Sequence, residues 1–136
     1  FLARNKYHEA YINKSKVSIK MNDISNIKKI NNDFYIDLES PHYVRICDDL
    51  NNIDFKKNIE KIKIDNNAKY GNFNINLVQI ISKNEINVRT FEKGVEGETL
   101  SCGTGAIASS IAASFKKCKS PLKINFTGVH NEEYKV

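Results

Sequence analysis

The sequence predicts an α/β (α+β) domain in which short strands curve around one central apolar helix. Most of the chain consists of short runs rich in β-branched and aromatic residues, separated by turn-forming residues, a pattern typical of strands. The segment "AIASSIAASF", residues 106–115, instead carries small or apolar residues on every face, with serine as its only polar residue. A helix that is apolar all round is buried. Because alanine and serine let neighbouring walls come close, we expect this helix to lie inside a strongly curved sheet.

Seven segments have the composition of strands, and their short connections predict which of them pair. The segments are "HEAYI" (8–12), "KVSIKM" (16–21), "DFYIDL" (33–38), "YVRIC" (43–47), "NFNINLVQIIS" (72–82), "NEINVRTFE" (84–92) and "PLKINFTG" (121–128). The first two flank the turn-like "NKS" and predict a hairpin, and "KN" forms a tight connection between the fifth and sixth. The segment "NIDFKKNIEKIKIDN", 52–66, is compatible with either a short helix or a loop.

Length and composition are those of one globular domain, with 136 residues, 40% hydrophobic and 27% charged. No apolar run approaches the ~18 residues of a transmembrane helix, and no signal-peptide pattern opens the chain, so we expect no membrane partner. Three cysteines without paired spacing argue against a disulfide framework or a metal site. They favour reduced thiols and a cytoplasmic protein.

The basic balance of the chain, +5 with a pI near 9.1, raises the question of nucleic-acid binding. The lysines are scattered among asparagine and isoleucine, and the densest run, "KKNIEKIKIDNNAK", contains two acidic residues and no aromatic residue for base stacking. A solvated surface therefore explains the charge better, and we expect no nucleic-acid partner.

Cys102 lies at the predicted start of the apolar helix, which we expect to run to about Lys117. The N-terminus of a helix carries unsatisfied N–H groups and a partial positive charge, which can lower the pKa of a thiol placed there. Glycines at 103 and 105 leave the amides of Gly103 and Thr104 open to an anion such as a carboxylate. On this pattern alone an inert core residue remains an equal alternative for Cys102, whereas Cys47 and Cys118 are predicted to be structural.

Three longer strings resemble diaminopimelate epimerases. "RTFEKGVEGETLSCGTG", 89–105, is similar to the family's second active-site loop, "ESPHYVRICDDL" to its Asn/Ser-Pro-His strand, and "NFNINLVQI" to its Asn-rich strand. They follow in the order that the family would place them, within a resemblance that runs from "HEAYI" to about Phe126. The resemblance implies a mixed or antiparallel sheet, strongly curved around a central helix. It also implies that residues 1–136 form one domain, the C-terminal half of a two-domain enzyme whose other catalytic cysteine lies in an N-terminal domain outside these residues.

The activity implied by the resemblance is cofactor-independent interconversion of LL- and meso-diaminopimelate, in lysine and peptidoglycan biosynthesis. Two thiols on opposite faces of the α-carbon act as acid and base. By resemblance Cys102 is one of them, and the partners implied are diaminopimelate, the N-terminal domain and, as an allowed assembly, a homodimer. The isolated chain is expected to be inactive.

The resemblance also implies roles for residues around the thiol. His42 and Glu92 match positions that tune the cysteines, and the matches to substrate-binding positions are Ser40, Asn74, Glu92, Lys93, Gly103 and Thr104. Lys93 stands where an arginine is usual and gives a point-charge contact instead of a bidentate one. Asn76, two positions after Asn74, is a weaker candidate on the same strand face. Glu98 and Thr99 are expected to shape the loop, with Thr99 capping the helix.

Two other functions are compatible with these residues. One is a different two-cysteine racemase of the same fold, acting on proline, hydroxyproline or histidine. The other is a non-catalytic binding domain that keeps the scaffold without a second cysteine.

Overall fold

The computed structural model describes residues 1–3, 5–128 and 132–135, which form one main sheet, two helices and two small ribbons. In chain order the elements are β1 (Leu2–Ala3), β2 (Lys6–Tyr7), β3 (Ala10–Asn13), β4 (Lys16–Ile19), β5 (Ile27–Ile30), β6 (Asp33–Asp37), β7 (Pro41–Ile46), α1 (Phe55–Tyr70), β8 (Asn74–Ser82), β9 (Glu85–Glu92), β10 (Gly97–Thr99), α2 (Gly103–Ser114), β11 (Lys123–Phe126) and β12 (Glu132–Lys135). The main sheet has the order β12-β11-β9-β8-β7-β6-β5, with β10 paired to β9. The strand segments expected from the sequence are confirmed, and so is the mixed α+β class.

The sheet is mixed because two pairs of neighbouring strands, β7–β8 and β9–β11, are parallel. Each parallel pair is joined by a crossover that contains one of the helices, α1 in the first and α2 in the second. Each crossover carries the chain to the neighbouring strand on the β12 side, so both move in the same direction across the sheet. The strands of the second pair run opposite to those of the first, because β9 is antiparallel to β8. Since such crossovers are right-handed, reversing the strand direction places the two helices on opposite faces of the sheet.

Helix α2 is the buried apolar helix that the sequence predicts. It packs across β6, β7, β8 and β9, and its alanines at 106, 108, 112 and 113 are at most 2% exposed. The core around it draws on Phe34, Val44, Val88 and Ile124 from four strands. The small side chains let the helix approach the sheet closely, as expected from their composition.

The end of α2 corrects the sequence prediction, which extended the helix to Lys117. The helix ends at Ser114, and Lys117 takes a positive φ of 69°. The N–H of Cys118 then reaches back to the carbonyl of Ala113 at 3.2 Å, which reverses the chain. Helix C-termini commonly stop with a left-handed residue, so the lysine run forms this turn instead of the last helical turn.

The segment whose sequence is compatible with either a helix or a loop forms helix α1. Asp54 caps its N-terminus by accepting the Lys57 N–H at 3.0 Å, and Gly71 ends it at a φ of 69°. Ile59 and Ile62 face the sheet, where they join a second core that includes Tyr43, Phe73, Leu77 and Phe91. Neither helix among the described residues is long and apolar enough to cross a membrane.

The predicted hairpin is confirmed as β3–β4, with Ile12 opposite Val17. It forms a separate two-stranded ribbon, and all eight of its strand residues are exposed. The core therefore begins with β5 and β6, and the candidate site is built on the main sheet.

Candidate active site

Topology brings the residues of the site to one end of the sheet. Because β9 runs antiparallel to β7 and β8, its last residues lie beside the first residues of those two strands. In the sheet register His42 is opposite Asn74, and Asn76 is opposite Thr90. The chain leaves β9, pairs once more through β10, and starts α2 over the same end, so the Cys102 side chain lies above this row.

The N-cap residue of α2 is Cys102, in an extended conformation with φ −141° and ψ 113°. Its sulfur is 3.3 Å from the Gly105 nitrogen, which donates to it, and 3.4 Å from the Thr104 hydroxyl oxygen. The Glu92 carboxyl is close enough to the thiol to affect its pKa. The Cys102 sulfur thus takes the place that a side-chain oxygen usually fills at an N-cap. The expectation that Thr99 caps the helix is wrong, because Thr99 lies in β10.

The expected lowering of the Cys102 pKa is also wrong for this chain. Burial raises the pKa of the thiol, and the Glu92 carboxylate raises it further, both by hydrogen bonding and by its charge. The hydrogen bonds from Thr104 and Gly105 lower it, but they do not offset the burial. Cys102 is 9% exposed, so loss of hydration outweighs the helix terminus. At neutral pH the side chain is a thiol, with donors in place for the thiolate.

His42 lies beneath the thiol and contacts it through Thr104. Its Nε2 atom is 2.9 Å from the Thr104 hydroxyl, and its Nδ1 atom is 2.9 Å from the Asn76 side-chain nitrogen. The ring is fully buried. The resemblance matches His42 to a position that tunes the cysteines, and the structure places the Thr104 hydroxyl between its ring and the Cys102 sulfur.

The imidazole of His42 is neutral at physiological pH. Burial, aided by the positive charge of Lys93, lowers its pKa from 6.5 to about 4. A neutral imidazole has one donor and one acceptor nitrogen. The hydrogen bond at one nitrogen therefore decides whether the other nitrogen donates or accepts.

Asn74 organises the opposite side of the row. Its side-chain nitrogen donates to Ser40 Oγ at 2.7 Å and lies 3.3 Å from the Pro41 carbonyl, and its oxygen accepts the Lys93 N–H at 3.0 Å. Ser40 lies just before β7, Asn74 begins β8 and Lys93 is in the turn after β9, so the family-matched positions at 40, 74 and 93 meet in space.

Ion pairs between charged side chains hold the turn after β9 in place. Arg89 grips the Glu98 carboxylate with two hydrogen bonds, at 2.7 and 2.9 Å, and so fixes β10 on β9. Lys63 from α1 pairs with Glu96 at 2.8 Å and lies over the Phe91 ring. The expectation that Glu98 shapes the loop is therefore confirmed, and the long turn is anchored to both β9 and α1.

Two backbone amides at the start of α2 point to anion binding. The first N–H groups of a helix have no acceptor within it. Within the described part of the chain Gly105 donates to Cys102 Sγ, which leaves the amides of Gly103 and Thr104 for an outside acceptor. A cavity of about 330 Å³ opens beside Thr104, with Lys6, Asp23, Asp37 and Glu39 among its lining residues.

Asn76, a weaker candidate from the sequence, and Thr90, which the sequence did not single out, both belong to the row. Each is fully buried, and the Thr90 hydroxyl lies 2.9 Å from the Asn76 side-chain oxygen. The available signal was the "NIN" alternation, which places Asn74 and Asn76 on one strand face. Thr90 could be found only after the register of β8 and β9 was known.

Comparisons with known proteins identify the family of the chain. Residues 34–130 match the family model for diaminopimelate epimerase. A protein of Flavobacterium psychrophilum named diaminopimelate epimerase is 37% identical over 131 residues, which cover 94% of this chain and 51% of the relative. Proteins of the same name from Methanocella arvoryzae (45% identical over 75 residues, 55% of this chain and 26% of the relative) and Campylobacter jejuni subsp. doylei (34% over 130 residues, 92% and 49%) are also similar. The chain spans about half the length of the relatives that it matches along most of its own length. With this family model matched over most of its length, the chain belongs to the diaminopimelate epimerase family.

Proposed function

We propose that this chain supplies one half of the active site of a diaminopimelate epimerase, with Cys102 as one of its two acid–base thiols. The observation that carries the proposal is the position of the Cys102 sulfur. It lies at the N-terminus of a buried helix, beside the Glu92 carboxyl and within hydrogen-bond distance of Thr104 and Gly105. The complete enzyme would serve lysine and peptidoglycan biosynthesis in the cytoplasm, without a cofactor.

The reaction needs a base on one face of the α-carbon and an acid on the other. One cysteine, as thiolate, takes the α-proton, and the other, as thiol, donates its proton to the opposite face; the roles exchange in the reverse direction. The raised pKa of Cys102 suits the thiol form, while the Thr104 and Gly105 donors stabilise the thiolate that is left after donation. The opposite thiol comes from the N-terminal domain, so the isolated chain is inactive.

Negative charge develops on the substrate as the α-proton leaves. The amides of Gly103 and Thr104 would bind the α-carboxylate and stabilise that charge through the end of the helix. Asn74, Ser40 and Lys93 form a separate polar group across the row, suited to the second amino-acid end of diaminopimelate. Only a substrate with two such ends would use both groups.

A comparison of candidate substrates, each incubated with the protein, tests the proposal. The complete natural protein, kept reduced, is incubated with LL-diaminopimelate, and formation of the meso isomer is followed by chiral chromatography. Proline, hydroxyproline and histidine are offered in parallel. We expect conversion of diaminopimelate alone; conversion of one of the other amino acids would instead identify a racemase of the same fold, and conversion of none would favour a binding domain.

A further inference from the structure

Asn76 has contacts that no role in substrate binding explains. It lies on β8 opposite Thr90 of β9, with no exposed surface. Its oxygen is 2.9 Å from the Thr90 hydroxyl, and its nitrogen is 2.9 Å from His42 Nδ1. A buried amide has strong hydrogen-bonding requirements at both ends, and here each end is used by one neighbour.

The Thr90 hydroxyl fixes which way the amide points. Thr90 is fully buried, and within the described part of the chain its hydroxyl makes one side-chain hydrogen bond, to Asn76 Oδ1. A hydroxyl hydrogen without an acceptor is costly to bury. The amide oxygen therefore faces Thr90, and the NH₂ group faces His42.

The NH₂ group of Asn76 in turn fixes the tautomer of His42. An NH₂ group can only donate, so Nδ1 accepts and the single ring proton of the neutral imidazole is on Nε2. Nε2 then donates to the Thr104 hydroxyl oxygen at 2.9 Å. The 3.5 Å approach of the Asn74 nitrogen to Nε2 does not compete, because the two hydrogens of that NH₂ group have nearer acceptors, Ser40 Oγ at 2.7 Å and the Pro41 carbonyl at 3.3 Å.

The Thr104 hydroxyl, once it accepts from His42, is turned to donate to Cys102 at 3.4 Å. We propose that Asn76 is a positioning residue for the reaction: by holding His42 as the Nε2–H tautomer, it directs the Thr104 hydroxyl hydrogen toward the Cys102 sulfur. The sulfur then receives two hydrogen bonds, from Thr104 and from the Gly105 N–H, and both favour the thiolate. The role of Asn76 in catalysis rests on the proposed function, whereas the direction of these hydrogen bonds does not depend on it.

Packing ties the same asparagine to the start of α2. A Cβ atom on Gly105 would lie 2.6 Å from Asn76 Oδ1 and 3.3 Å from Cys102 Sγ. The helix therefore lies closest to the amide at Gly105, where the absence of a side chain leaves room for Asn76.

The variant Asn76→Asp is close in shape and reverses the chain of donors. A carboxylate can only accept, so it would draw the ring proton of His42 to Nδ1 and leave Nε2 as an acceptor. Thr104 would then donate to His42 and no longer to Cys102. The matched control is Asn87→Asp, an asparagine of the neighbouring strand β9 whose oxygen accepts from Asn125 at 3.0 Å and which does not contact His42.

The experiment is long-range ¹H–¹⁵N NMR of the complete natural protein with ¹⁵N-labelled histidine, with the His42 signal assigned from His42→Gln. We expect the Nε2–H tautomer in the wild type and in Asn87→Asp, and the Nδ1–H form in Asn76→Asp. The rate of α-proton exchange with diaminopimelate should fall about tenfold in Asn76→Asp, with KM changed less than about twofold, since orientation of an acid–base group acts on the chemical step.

Either an Nδ1–H tautomer in the wild type or an unchanged tautomer in Asn76→Asp would overturn the proposal. So would a reversed tautomer with an undiminished exchange rate. If the wild type exchanges no α-proton of diaminopimelate, the proposed function fails, and the tautomer of His42 in the two proteins still decides the proposed hydrogen-bond direction.

Discussion

A methyl group at residue 105 should destabilise the protein, although the same change at residue 103 should not. Both glycines are in the first turn of α2, and alanine is preferred to glycine in a helix by up to about 1 kcal/mol. At Gly103 nothing lies within 4 Å of the added Cβ. At Gly105 the added Cβ would meet Asn76 Oδ1 at 2.6 Å and Cys102 Cβ at 3.1 Å.

The magnitude follows from what must move. Overpacking a well-filled site costs about 1–3 kcal/mol. Displacing the Asn76 amide also weakens its hydrogen bonds to Thr90 and His42, each worth about 1 kcal/mol. Because both variants gain the same helix propensity, that gain cancels in the comparison, and Gly105→Ala should be about 1–5 kcal/mol less stable than Gly103→Ala.

Urea unfolding of the two variants and the wild type, followed by circular dichroism, measures the difference directly. The midpoint of Gly105→Ala should fall with an unchanged slope, while Gly103→Ala unfolds at the wild-type concentration or above it. A Gly105→Ala protein as stable as Gly103→Ala would refute the close packing of the asparagine row against α2.

Three further predictions concern a pH effect, a thiol and a helix cap. The pKa of His42 drops from 6.5 unfolded to about 4 folded, so the unfolded state binds the proton first as pH falls, and stability is lost between those values. At about 1.4 kcal/mol per unit the loss is about 3 kcal/mol, measurable as the difference in pH dependence of urea unfolding between wild type and His42→Gln; parallel curves would contradict it. Burial raises the pKa of Cys47 to about 11 from an ordinary 9.0, so its alkylation at pH 8 should be roughly a hundredfold slower than in the urea-unfolded protein, and a ratio near one, by peptide mass spectrometry, would be inconsistent with that burial. Asp54→Ala removes the cap of α1 and should cost about 1 kcal/mol in thermal unfolding, whereas Asp54→Asn should stay near wild type; equal losses would show that the cap is not the cause.

Local patterns in the sequence predict the strands and the buried helix because those patterns are themselves local. The alternation in β8 and the all-round apolar composition of α2 are visible within about ten residues. The helix α1 was not decided by the sequence, since the apolar positions Ile53, Phe55, Ile59 and Ile62 fit a short helix about as well as a loop. The Asp54 cap and the second core decide it, and that core is assembled from distant strands.

The residues of the site likewise fall into those that a local motif identifies and those that only the fold brings together. The loop motif identifies Cys102, Glu92 and the helix amides, because these residues are close in sequence. The contact between His42 and Thr104 spans 62 positions, and it depends on the parallel pairing of β7 with β8 and on the crossover that carries α2. The expected low pKa of Cys102 was wrong because the sequence shows the helix terminus and not the burial around the sulfur.

The central claim, that Cys102 exchanges an α-proton, is tested most directly by proton NMR of LL-diaminopimelate in D₂O with the reduced, complete natural protein. The matched control is Cys118→Ala, since Cys118 and Cys102 are equally buried, at 9% exposure. The account predicts that the α-proton signal disappears with the wild type and with Cys118→Ala and persists with Cys102→Ala. Loss of the signal at the wild-type rate with Cys102→Ala would contradict it.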